Sequence, residues 1–320
     1  MTAPAKNHIF IVGVPRSGTT LMRDLISRHP QVAMPQDEFQ LIPFLIKRFG
    51  HKAAFDDTDV DRYLAILKRS AFYHHRKDET PLDDWRPAGS TLPEIISETL
   101  QHFAPTKKRS SDVSFVGDKT PNNLLHLKEI LECFPGAKFI HVVRDPRDVA
   151  LSSRKAWKKS LVRAAFQWQR GVYAANNFSH EHPDAILTVR YEDLLADSCV
   201  ELSAVCKFLD LPFDESILEL TGSREKMGDA AGFLGVKPDN TRKYEQGLSL
   251  GERATLISYL HAEMCEAGYT VTSPEKPATF NPCHLTVLSC SDFVGSLRQQ
   301  IRDKGLMAGF RYRVLQLIFR

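Results

Sequence analysis

Paired cysteine is the first thing this sequence lacks. Its six cysteines, Cys133, Cys199, Cys206, Cys265, Cys283 and Cys290, include no C-x-x-C pair and no zinc-like spacing. A disulfide framework and a zinc site therefore drop out, and the thiols are expected to be reduced and mostly buried. Long hydrophobic runs are missing too. The first run, "HIFIVGV" from His8, is too short to span a membrane. It also leads straight into a glycine loop, which leaves no room for a signal peptide or anchor, so a cytoplasmic location is the expectation. No single sign of charge dominates: 42 basic against 39 acidic side chains leave a net +3, too little to imply nucleic acid. Any anionic partner must be met by local clusters. Internal repeats and long low-complexity tracts are absent. The histidines, including His74–His75 and the H-x-H at His180 and His182, have no metal-like neighbours and are expected at the surface.

What is present is 320 residues of ordinary globular composition, enough for a large core in one or two domains. Short apolar runs alternate with helical patterns, which predicts βαβ units and a mostly parallel central sheet flanked by helices. Strands are expected at His8–Val14, Ser114–Asp118, Ala137–Asp145 and Ala185–Tyr191. Continuous apolar stretches such as Phe139 to Val143 fit strands covered on both faces. The polar, irregular helical stretch of residues 51–113 reads either as a substrate-side insertion or as a plain surface excursion. The Pro- and Thr-rich segment 271–288 reads as a linker that ends a main domain at residue 270, and residues 289–320 form a basic, apolar tail.

The stretch "GVPRSGTT", Gly13 to Thr20, nearly spells G-x-x-x-x-G-K-[ST], except that Thr19 stands where the lysine belongs and Arg16 lies inside the loop. A strand, a tight glycine turn and the helical "TTLMRDLISRH" would gather backbone N–H groups and a helix N-terminus around one anion. Leu21, Leu25 and Ile26 would bury the helix, leaving Arg16, Ser17, Gly18, Thr19 and Thr20 at the anion. Without the lysine, nucleoside triphosphate hydrolysis is disfavoured. Asp118 and Asp145, the acids that follow strands, sit inside basic motifs of their own, so the loop reads as an anion site without metal.

These residues carry a resemblance. "VPRSGTTLM" is similar to the 5′-phosphosulfate loop of sulfotransferases that use 3′-phosphoadenosine 5′-phosphosulfate (PAPS), and "VVRDPRDVALSS" to their 3′-phosphate motif. With "GDKTP" and "VRYEDL", the similarity runs from about Ile9 to Tyr269 in the family's order, and it is strongest to the tyrosylprotein sulfotransferase branch with its bacterial relatives. The resemblance implies a P-loop-like α/β fold, PAPS as co-substrate with no metal, and in-line sulfuryl transfer to an acceptor hydroxyl on peptide tyrosine, carbohydrate or a small molecule.

It also implies roles for single residues. Arg144 and Ser152 would bind the 3′-phosphate, although Arg144 could instead pair with Asp148 at a helix start, while Arg147 and Arg154 are expected in solvent. Glu38 takes the position of the family's carboxylate base if Ile42–Pro43 anchors the comparison, and Asp37 takes it if the loop does; Glu38 is preferred. Alternatively both acids merely begin a helix. The family's arginine just after the glutamate is absent, with Phe39 and Gln40 in that region. Lys119 matches the lysine set against the bridging oxygen of the donor, or else is a solvated strand-end lysine. Tyr191, Arg242 and Lys243 match nucleotide contacts. The competing readings are a kinase using nucleoside triphosphate with a degenerate loop, and a non-catalytic module that binds an adenosine bisphosphate.

From Leu297 to Arg320 the tail carries six positive charges against one negative, with Ile301, Leu306, Phe310, Val314, Leu317 and Ile318 at roughly helical spacing. Such a segment suits an anionic membrane surface or a partner, but packing on the chain's own core is the preferred expectation. The sequence leaves the oligomeric state open.

Overall fold

A computed structural model describes residues 7–108, 113–219 and 236–304. Among these, five strands form one sheet: β1 (Asn7–Gly13), β2 (Val32–Ala33), β3 (Phe115–Lys119), β4 (Lys138–Val143) and β5 (Ile186–Arg190). Their order is β2-β3-β1-β4-β5, and every pairing is parallel. The four strands expected from sequence are present to within one or two residues. The two-residue β2 was not anticipated, being too short to show a period.

The helices are α1 (Thr19–Ile26), α2 (Ile42–Phe49), α3 (Asp57–Arg69), α4 (Ala71–Arg76), α5 (Leu92–His102), α6 (Leu127–Cys133), α7 (Pro146–Trp157), α8 (Leu161–Glu181), α9 (Tyr191–Ala196), α10 (Ser198–Phe208), α11 (Tyr244–Gly247), α12 (Leu250–Glu266) and α13 (Pro282–Lys304). Because side chains alternate across a strand, β1 feeds two cores. Ile9 and Ile11 pack with Met22, Leu25, Ile26, Leu194 and Leu202, whereas Phe10 and Val12 pack with Phe139, Trp168, Ile95 and Leu260. A sheet covered on both faces reads as unbroken apolar runs, which is why its strands were visible.

Helix α1 buries Met22, Leu25 and Ile26, while Leu21, expected inside, is only half-buried. The excursion at 51–113 is no surface ornament, since Tyr63, Phe72, Ile95, Ile96 and Leu100 lie in the same core as β1. Helix α13 starts at Pro282, inside the segment read as a linker: the Asn281 side chain caps it by accepting from the amides of Cys283 and His284. It packs on α7 and α8, where Asp292 accepts from the Ser160 amide and meets Arg163 at 2.9 Å. The tail positions from Leu306 to Arg320 lie outside the described residues. No helix among the described residues is long and apolar enough to cross a membrane.

The cysteines correct one expectation. All six are free, but only Cys206 is fully buried, and Cys199, Cys265, Cys283 and Cys290 are exposed. They lie on the outer faces of α10, α12 and α13, where a small side chain carries no burial signal of its own.

Two histidines on the central strands titrate with folding. Burial holds His8 and His141 uncharged and lowers each to about 4 from 6.5. The unfolded chain then binds more protons between those values, so their contribution is complete above pH 6.5 and is lost as pH falls toward 4. Burial raises Asp118 to about 6, which acts oppositely, adding stability as pH falls from there toward 3.8. The difference between wild type and variant isolates the histidine. Between about pH 7.5 and about pH 4.5, His141→Gln is expected to lose roughly 2–3 kcal/mol less stability than wild type, as read from urea midpoints.

Candidate active site

The chain leaves the carboxyl end of β1 through the glycine loop, and its neighbours β3 and β4 end in Lys119 and just before Arg144. From β1 the chain crosses to β2 on one side of the sheet, and from β3 it crosses past β1 to β4 on the other, so the connections part between β1 and β4, which is where open parallel sheets bind ligands.

The loop turns on two left-handed residues, Arg16 (φ 79°) and Gly18 (φ 96°). The Ser17 amide donates to the Val14 carbonyl at 3.1 Å, and α1 begins at Thr19 with no side chain capping its N-terminus. Ser17 is 1% exposed, yet its hydroxyl has no hydrogen-bond partner among the described residues. Thr19 is buried and Thr20 half-buried. Gly18 lies flat against an aromatic ring, since a Cβ there would meet Tyr191 Cδ2 at 2.2 Å.

Tyr191 also organises the second anion motif. Its ring faces the Arg144 guanidinium at 4.5 Å, and its hydroxyl accepts from Asn240 Nδ2 at 2.7 Å. Arg144 donates through Nη2 to the Asn240 carbonyl at 2.7 Å and to Asp148 at 3.4 Å, and through Nη1 to the Arg16 carbonyl at 3.4 Å. The pairing with Asp148 is therefore real but long, and Arg144 Nε is buried with no hydrogen-bond partner among the described residues. Arg16 Nε donates to Ser152 Oγ at 3.1 Å, joining the first motif to the second. Each buried donor left unsatisfied costs about 1–3 kcal/mol, a cost that a bound acceptor at Ser17 and Arg144 would remove.

Beside the loop, Lys119 and Glu38 meet. Lys119 Nζ lies 2.6 Å from Glu38 Oε1, with the lysine side chain 5% exposed, and Gln40 Nε2 donates to Glu38 Oε2 at 2.7 Å. A solvated strand-end lysine is thereby excluded. Asp37 points elsewhere, pairing with Arg76 of α4 at 2.6 Å. Neither acid begins a helix, because α2 starts at Ile42. Asp118, fully buried, accepts from the Phe39 amide at 3.1 Å and from Asn123 Nδ2 at 3.2 Å.

Other expectations fall differently. Arg242 is exposed and pairs with Glu245 at 2.5 Å. Lys243 is half-buried ahead of α11. Arg147 is not in solvent: it pairs with Asp145 at 2.6 Å and covers the Tyr244 ring at 3.9 Å. Two acids close by on one strand-to-helix corner hold it there. Arg154 meets Glu252 at 2.5 Å. Asn240 was missed altogether, because its contacts to Tyr191 and Arg144 cross long stretches of sequence and leave no periodic trace.

Comparison with known proteins bears on the family and the fold. A sequence profile described as "Sulfotransferase family" matches residues 8–215. Protein-tyrosine sulfotransferase 1 of Danio rerio is 29% identical over 236 residues, 70% of this chain and 58% of that protein. Protein-tyrosine sulfotransferase of Drosophila melanogaster is 29% identical over 220 residues, 66% of this chain and 39% of that protein. The chain thus spans about half the length of these curated relatives, or less. Two solved structures share the fold with a TM-score of 0.55. They are the sulfotransferase domain from the curacin biosynthetic pathway, at 19% identity (84% of this chain, 99% of that one), and the sulfotransferase domain of the Synechococcus PCC 7002 olefin synthase, at 23% (85% and 99%).

The Gly18–Tyr191 contact admits a direct check. Gly18→Ala adds a methyl group to a left-handed backbone and drives it into the ring. It is expected to cost roughly 2–4 kcal/mol in denaturant unfolding, and a loss near zero would show that the loop and Tyr191 are not packed together.

Proposed function

We propose a donor and a reaction for this chain, which belongs to the sulfotransferase family: it binds PAPS and transfers the sulfuryl group to an acceptor hydroxyl. The observation that carries this reading is the pair of buried, unpartnered donors, Ser17 Oγ in the glycine loop and Arg144 Nε beyond β4. Two separate anion cradles suit a nucleotide with phosphate at both the 5′ and 3′ positions. A guanidinium also suits the second, since it makes forked bonds to phosphate oxygens. A kinase using nucleoside triphosphate needs neither the second cradle nor an arginine locked there.

In the reaction the acceptor oxygen forms a bond to sulfur while the bond from sulfur to the bridging oxygen breaks, leaving adenosine 3′,5′-bisphosphate. The Glu38 carboxylate takes the hydroxyl proton. Lys119 offers its positive charge where the leaving phosphate gains negative charge, so its contact strengthens in the transition state. Lys119 supplies from β3 the cation that the glycine loop lacks at Thr19. The two acids that end strands are already engaged, Asp118 by Phe39 and Asn123 and Asp145 by Arg147, which supports transfer without a metal. The relatives named protein-tyrosine sulfotransferases make peptide tyrosine one acceptor to test beside sugar and small-molecule hydroxyls, with sulfur-labelled PAPS as donor.

Two measurements check the reading. By calorimetry without magnesium, adenosine 3′,5′-bisphosphate is expected to bind far more tightly than AMP or ATP. Arg144→Ala is expected to remove most of that preference, at a cost of ~2–5 kcal/mol; equal affinity for AMP in wild type would reject it. In turnover assays Glu38→Gln is expected to lower kcat on the order of a hundredfold or more with bisphosphate affinity kept, whereas Asp37→Asn, whose acid only pairs with Arg76, leaves kcat near wild type. The reverse ranking would move the base to Asp37.

A further inference from the structure

We infer that Asp118 and Thr120 are positioning residues that form a latch holding the base Glu38 against Lys119, an inference that rests on the catalytic pair proposed above. Three consecutive residues at the end of β3 divide the work. Side chains alternate along an extended strand, so Asp118 and Thr120 face one way and Lys119 the other. Lys119 takes Glu38 Oε1. The two flanking residues take the next two backbone amides of the base segment. Phe39 N donates to Asp118 Oδ1 at 3.1 Å, and Gln40 N donates to Thr120 Oγ1 at 3.1 Å.

The segment needs holding. Gln40 has φ 58°, a left-handed conformation that costs a non-glycine residue about 1 kcal/mol or more and persists only where its surroundings fix it. With that turn in place, the Gln40 side chain folds back to donate to Glu38 Oε2 at 2.7 Å. Both carboxylate oxygens are thus oriented, one by Lys119 and one by Gln40, and the turn that makes this possible hangs on Thr120. Phe39 anchors the other side through an edge-on contact with Phe72 at 5.2 Å.

Asp118 is in turn fixed from behind. Asn123 Nδ2 donates to its Oδ2 at 3.2 Å, and the Asn123 amide donates to the Thr120 carbonyl at 3.0 Å. An acceptor-only carboxylate suits this spot, because both oxygens face N–H donors. The "GDKTPNN" stretch therefore has a part for Asp118, Thr120 and Asn123 besides Lys119. The latch also selects the base: gripping the amides just after Glu38 sets Glu38 toward Lys119, while Asp37 turns to Arg76.

The test uses the full chain with Asp118→Asn, Thr120→Val and the double variant Asp118→Asn with Asn123→Asp. Asp118→Asn sets an NH2 group against the Asn123 NH2 group, and the double variant restores donor to acceptor. Asp118→Asn and Thr120→Val are expected to lower kcat on the order of 10- to 100-fold, as misplacement of a reacting group does. KM for PAPS and affinity for adenosine 3′,5′-bisphosphate stay at wild-type values, and the double variant recovers kcat. Amide hydrogen exchange at Phe39 and Gln40 speeds up in the single variants. Should Asp118→Asn fail to fold, Thr120→Val carries the same test without a buried charge change. Unchanged kcat in folded variants, or kcat and nucleotide affinity falling together, overturns the latch. If wild type binds the bisphosphate but transfers to no hydroxyl, the proposed reaction fails instead, and exchange at Phe39 and Gln40 alone then decides whether the latch exists.

Discussion

The ring of Tyr191 is the contact on which the rest of the site depends. One face is so close to Gly18 that no side chain fits there, and the guanidinium of Arg144 lies over the ring at 4.5 Å. The hydroxyl binds Asn240, whose carbonyl accepts from Arg144 in turn. One aromatic side chain thus sets the spacing between the glycine loop, the end of β4 and the segment before α11. A cation held against an aromatic face contributes about 1–2 kcal/mol when desolvated, enough to keep Arg144 extended rather than folded onto Asp148. The long 3.4 Å contact to Asp148 and the raised pKa of that acid, due first to burial, agree that the ion pair is the weaker hold.

Much of this was legible in the sequence because it is local. A glycine loop between a strand and a helix, Pro146 opening α7, and apolar runs on a sheet covered twice are properties of neighbouring residues. The choice between Glu38 and Asp37 was not of that kind. One residue of register separated them, and only the amides gripped by Asp118 and Thr120 show which acid faces Lys119. Arg147 was misread for a related reason. Alone it looks solvated, but Asp145 and the Tyr244 ring, the latter almost a hundred residues on, enclose it. Residues whose partners lie far along the chain leave no period to find, and Asn240 is the clearest case.

The engaged acids and the free donors give the cleft its sign. Asp145, Asp148 and Glu192 crowd one corner, and burial raises Asp148 and Glu192 above their ordinary values. Each is held by a donor nearby: Asp145 by Arg147, Asp148 by the Tyr244 amide, and Glu192 by the Asp145 amide and the Tyr269 hydroxyl. Their charge is engaged by these donors, and Asp148 also meets Arg144 at 3.4 Å. By contrast, the Ser17 hydroxyl and Arg144 Nε are buried with no hydrogen-bond partner among the described residues. A dry site lined by donors binds anions far more strongly than the same groups would in water, because little solvent has to be reorganised.

The excursion between β2 and β3 is tied to the same floor. Arg76 of α4 reaches Asp37 at 2.6 Å and the Gln36 side chain at 3.0 Å, while Arg23 of α1 donates to the Gln36 carbonyl. Helix α1, which carries the glycine loop, is therefore bonded through Gln36 and Asp37 to α4. The Arg76 side chain is 10% exposed and that of Asp37 35%, so the pair sits at the edge of the core and ties α4 to the segment that carries Glu38. The two neighbouring acids are therefore held by different elements, Glu38 by Lys119 and Gln40, and Asp37 by Arg76 of α4.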